Sequence, residues 1–85
     1  MQLRFVGCGD ALGSGGRFNT CFHVTGERVN FLIDCGASSL LALKRHDIVR
    51  DAIDTILITH FHGDHFAGLP FLLLDAQFTR RTRPL

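Results

Sequence analysis

The chain has no apolar run of about 18 residues, so it carries no stretch able to cross a membrane as a helix. Its first residues, Met1-Gln2-Leu3-Arg4-Phe5-Val6-Gly7, lack the long apolar segment and small-residue cleavage site of a secretory leader. An excess of one charge is missing too. Nine Lys and Arg face eight Asp and Glu, a net charge of +1. That balance sets aside a strongly basic nucleic-acid-binding domain, and charge gives no indication of RNA. No internal repeat or low-complexity tract is present. The cysteines, Cys8, Cys21 and Cys35, are odd in number and lack Cys-x-x-Cys spacing, which argues against a disulfide framework or a separate structural zinc site. They read as reduced, mostly buried thiols of a cytoplasmic protein.

The composition that remains is 46% hydrophobic and 20% charged, that of an ordinary globular chain. Eighty-five residues suffice for one core and a single domain, 1–85. Gln2 to Val6 alternates polar and apolar residues, as a half-buried strand does. Five glycines between Gly7 and Gly16 then require a loop. Thr20–Thr25 and Val29–Ile33, joined by Gly26-Glu27-Arg28, read as an antiparallel hairpin. Ser38 or Ser39 can cap a helix over Leu40–Arg45, with Lys44, Arg45 and His46 at its negative end. Asp54–Thr59 has a continuous apolar centre, the pattern of a strand covered on both faces in a layered α/β protein. A last helix starts near Pro70 and carries Phe71 to Leu74 and Phe78.

Three of the five histidines and an aspartate fall within His60-Phe61-His62-Gly63-Asp64-His65, directly after the apolar strand. On extended backbone His60 and His62 point to one side, able to share an ion, while Phe61 turns into the core. Gly63 permits a sharp turn. Asp64 and His65 follow, facing a point close to that ion but displaced from it. Imidazole nitrogens and a carboxylate suit zinc, or a neighbour such as manganese or iron. The arrangement suggests two divalent ions about 3.5–4 Å apart sharing a hydroxide.

This His-x-His-x-Asp-His run resembles the signature of the metallo-β-lactamase superfamily. The chain is similar to that family over nearly its whole length: an opening strand, a glycine-rich loop, a hairpin, and a strand ending in Asp at Phe31–Gly36. Thr59–Pro70, THFHGDHFAGLP, looks most like the ribonuclease Z and related phosphodiesterase branch. The resemblance implies the N-terminal portion of a four-layer αβ/βα sandwich with metals at one edge. It implies His60 and His62 on the first metal, Asp64 and His65 on the second, Asp64 as the catalytic carboxylate, and Asp34 orienting a ligand histidine. In the Gly15–Thr20 loop, Arg17 and Asn19 match the Arg-x-Asn ending seen in transfer-RNA-processing members, which makes them candidate substrate contacts. The proline of that loop is absent here, so the expectation is phosphodiester cleavage by a metal-bridged hydroxide rather than pre-tRNA cleavage in particular. The same fold also serves thioester, lactone and β-lactam hydrolases.

The family's remaining ligands lie downstream of the motif, and Arg83-Pro84-Leu85 resembles the start of its next strand. The expectation is therefore the N-terminal part of a longer metallo-hydrolase domain, supplying two ligands per ion where zinc needs three or four. On its own such a part would bind metal weakly, turn over little, and expose an apolar patch that favours homo-oligomers or poor folding. Gly7-x-Gly9 with Asp34 fails as a dinucleotide fingerprint, because the third glycine comes one residue late and no helix opens there. His23 and His46 read as structural, and Arg80, Arg81 and Arg83 as a solvated segment.

Overall fold

Alternating and apolar segments assemble into one mixed sheet. The structure, a computed structural model, describes residues 1–85. Strands β1 (Gln2–Gly7), β2 (Cys21–Thr25), β3 (Asn30–Ile33) and β4 (Thr55–Leu57) lie side by side in that order. The first three are antiparallel, and β4 runs parallel to β3. A parallel return needs a crossover, here α1 (Ser39–Arg45) and a short turn at Arg50–Ala52. Beyond β4 come a single helical turn, α2 (Gly63–Phe66), and α3 (Leu69–Phe78), with Pro70 in its first turn. This is one sheet and one helical layer, half of the layers expected of an αβ/βα sandwich.

The core lies between the sheet and α1. Val6, Cys21 and Leu32 of the sheet meet Ala42 and Leu43 of α1, Ile48 and Ile53 of the crossover, and Leu72 of α3. Leu32 and Leu43 are fully buried, each contributing roughly 1.5–3 kcal/mol by leaving water. Ser38 stands at the N-cap of α1, but its hydroxyl does not cap the helix. It accepts the Asn19 N–H at 2.8 Å instead, tying the glycine-rich loop to the helix start.

Strand register explains why the two faces differ. Leu3, Val24, Phe31 and Thr55 align across the sheet, as do Phe5, Phe22, Ile33 and Leu57. These rows point away from α1. Leu3, Phe5 and Leu57 are 54%, 62% and 51% exposed, so the two alternating apolar positions of β1 stay open. Val6, the residue after Phe5, falls on the opposite side by strand alternation and is buried beside a register irregularity between Phe5 and Gly7. The expected apolar patch is thus real. β4 is correspondingly covered on one face rather than two, and it stops at Leu57. Cys21 and Cys35 are buried thiols, but Cys8 is exposed because it sits in the outer glycine-rich loop. Arg81 is not solvated as expected. Its guanidinium donates to the carbonyls of Arg50 and Ile53 and so fastens the C-terminal segment to the crossover.

Candidate metal centre

The site begins where β3 ends. Asp34 adopts a left-handed backbone, φ 65°, a conformation aspartate tolerates better than most residues. That turn ends the strand and aims the carboxylate at the segment following β4. Only 2% exposed, it accepts the Thr59 N–H at 2.7 Å and the Thr59 hydroxyl at 2.8 and 3.0 Å. It also lies 2.7 Å from His65 Nδ1. Burial pushes the Asp34 carboxyl upward, but the Thr59 amide, His65 and the Thr59 hydroxyl outweigh it and hold the pKa below its ordinary value. The Thr59 amide is satisfied by a carboxylate where a longer strand would have used a ladder partner. This is why β4 ends early and the histidines follow irregular backbone.

Backbone bonds fix the spacing between the two segments. Cys35 N–H donates to the His65 carbonyl at 2.8 Å, and Gly68 N–H to the Cys35 carbonyl at 3.0 Å. A Cβ on Gly36 would stand 2.1 Å from the Asp64 carbonyl oxygen, and one on Gly68 would stand 2.1 Å from that of Gly36. Glycine is required at both because backbone approaches backbone there.

On this bed the imidazoles converge. Ring centres are 4.7 Å apart for His60 and His62 and 4.0 Å apart for His60 and His65. His65 Nε2 lies 3.2 Å from Asp64 Oδ2. His60 and His62 are exposed and Asp64 and His65 half-buried, an open ledge rather than an enclosed cavity. Two clefts lie elsewhere, one beside Arg50, Asp75 and Arg81 and the other, about 270 Å³, at the β2–β3 turn.

Two local expectations are corrected. Phe61 is 79% exposed and packs edge-on against Phe66 at 5.5 Å, outside the core, because the strand that would have turned it inward has already ended. Gly63 makes no sharp turn. It opens α2 without a positive φ, and a Cβ there would meet only ordinary contact with Ala67. Arg17 extends from the loop into solvent. Asn19 is buried, its Oδ1 accepting the Ser38 N–H at 3.2 Å and its Nδ2 donating to the Asp10 carbonyl at 3.0 Å. Its amide braces the loop. Sequence reasoning passes over Thr59, whose only signal is its place directly before the first histidine.

The donor set fits divalent metal in part. Tetrahedral donors at 2.0–2.1 Å from one ion lie about 3.3–3.4 Å apart, close to the 3.2 Å between His65 Nε2 and Asp64 Oδ2. With Asp34 taking Nδ1, Nε2 is the nitrogen left for an ion. No three His, Cys, Asp or Glu side chains come together around one point, so the segment offers pairs of ligands rather than a closed site.

The sequence model of a family described as Anti-Pycsar protein Apyc1 matches residues 1–85, the whole chain. The chain belongs to the Apyc1 family. Its fold is of the metallo-β-lactamase type, in the ribonuclease Z-like branch. A ribonuclease Z of Agathobacter rectalis is 50% identical over 69 residues, 81% of this chain and 23% of that protein. One of Methanococcus maripaludis is 36% identical over 85 residues, all of this chain and 28% of that protein. Among solved structures, human tRNase Z, short form, superposes with a TM-score of 0.83 at 36% identity, covering 92% of this chain and 30% of that one. The Bacillus subtilis metallo-β-lactamase fold protein YhfI gives 0.81 at 20% identity over 92% of this chain and 31% of its own, a likeness of fold. This Apyc1-family chain spans about a quarter of the length of the curated relatives it matches.

Proposed function

We propose that this chain forms the N-terminal part of a metal-dependent phosphodiesterase domain, cytoplasmic and ribonuclease Z-like in chemistry. His60 and His62 hold one divalent ion, and Asp64 and His65 hold a second. Zinc suits these donors, with manganese or iron as alternatives. When bound, such a pair makes hydroxide available at neutral pH and offsets the charge growing on the phosphoryl oxygens. Asp34 keeps a proton on His65 Nδ1 and so presents Nε2 beside Asp64. Buried and left-handed, Asp34 also fixes the ring's direction, the carboxylate–histidine support common at metal sites. Two ligands per ion fall short of zinc's usual number, and residues outside these 85 complete the set.

The observation that carries this reading is the Asp34–His65–Asp64 line, with distances of 2.7 and 3.2 Å. It is supported by the names of the relatives and by the fold. The test is metal content together with hydrolysis of bis(p-nitrophenyl) phosphate and of a model thioester by the full-length protein. His60→Ala and Asp64→Ala should each lower bound metal, and the phosphodiester should be the better substrate. Preference for the thioester moves the protein to the acyl-hydrolase reading. Metal-loaded protein inert on both counts against hydrolysis.

A further inference from the structure

Thr59 Oγ1 lies within reach of three acceptor or donor atoms: Asp34 Oδ2 at 2.8 Å, Asp34 Oδ1 at 3.0 Å and His60 Nδ1 at 3.0 Å. A hydroxyl has one proton and two lone pairs. The buried Asp34 carboxylate only accepts, so an Oγ1 proton turned toward His60 would leave Oγ1 facing Asp34 Oδ2 at 2.8 Å with no proton between the two oxygens, a costly arrangement. The proton therefore belongs to Asp34, and a lone pair of Oγ1 faces His60 Nδ1. That nitrogen must then carry hydrogen.

We propose that Thr59 is a positioning residue that relays the Asp34 carboxylate to His60, so that one buried acid sets the tautomer of two imidazoles. His65 receives the instruction directly and His60 through the hydroxyl. In both rings Nδ1 carries the proton and Nε2 is bare, although free imidazole in water favours the opposite form. The two rings, 4.0 Å apart, thus turn the same kind of nitrogen outward. The inference rests on His60 being a metal ligand for its purpose, but not for its geometry.

Long-range proton–nitrogen NMR on the metal-free full chain, at a pH where imidazole is neutral, reads the tautomer without metal or turnover. His60 should appear as the Nδ1–H form, and Thr59→Ser should preserve it. Thr59→Val keeps the side-chain shape, removes the hydroxyl, and should return His60 to the Nε2–H form while His65 keeps its Nδ1 proton. Zinc titration should then show a 10–100-fold weaker site in Thr59→Val, rescued by serine. An Nε2–H His60 in the unsubstituted chain, or a tautomer indifferent to Thr59→Val, overturns the relay. The expected tautomer without any zinc uptake would uphold the relay and sink the metal reading alone.

Discussion

The two faces of the sheet carry similar residues and have different fates. Toward α1, Cys21 and Leu32 are sealed under Ala42 and Leu43. Away from it, Leu3, Phe5 and Leu57 stand open, with Phe22 leaning on Phe5 at a ring distance of 5.0 Å. Apolar side chains stabilise only in proportion to the water they lose. One face therefore holds the molecule together, and the other leaves its apolar side chains in water.

Truncation should separate the faces most sharply. Leu32→Ala should cost about 2–5 kcal/mol in urea unfolding, since it removes contacts and leaves a cavity. Phe5→Ala, despite the larger side chain, should cost under about 1 kcal/mol and should reduce self-association in sedimentation. Equal losses at the two positions would break the comparison.

Gly36→Ala probes the seam between the covered core and the histidine ledge. Its new Cβ meets the Asp64 carbonyl and the Asn19 Cβ, at 2.1 and 2.4 Å. Overpacking of this kind costs about 1–3 kcal/mol. It should also shift the His65 and Asp64 NMR signals, because relief requires the two segments to part. Unshifted signals would show that the ledge is independent of the core.

The thiols give the mildest test. Burial pushes Cys21 up to about 12, with Cys35 and Asp34 adding to it, and burial likewise pushes Cys35 to about 11. Both stay protonated in the folded chain. Exposed Cys8 should react with iodoacetamide at once, while the other two lag by about a hundredfold if opening costs about 2.8 kcal/mol. Unfolding releases thiols with a pKa near 9. Stability from this source is therefore complete below pH 9 and declines as pH rises from there toward 12. Uniform labelling of all three would contradict a sealed core.

The histidine run was legible because its members are neighbours in sequence, and spacing alone brings His60 toward His62. The strands and α3 were legible from alternation, apolar runs and Pro70. Sidedness was not. Alternation in β1 separates Leu3 and Phe5 from Arg4 but cannot say which row receives a helix. The early end of β4, the outward Phe61 and the Thr59 contact all depend on Asp34, 25 residues upstream of Thr59, and no local pattern encodes an interaction of that range. Asn19 and Arg81 looked available from sequence because their partners are main-chain groups, which carry no residue signature.

The bed formed by Asp34, Cys35 and Gly36 has a practical consequence for anyone borrowing this motif. Transplanting His60–His65 into another scaffold would carry the side chains without their jig: the carboxylate, the two glycine contacts and the amide bonds that hold them in register. A graft should include both segments, the strand end and the histidine run, as one two-part module.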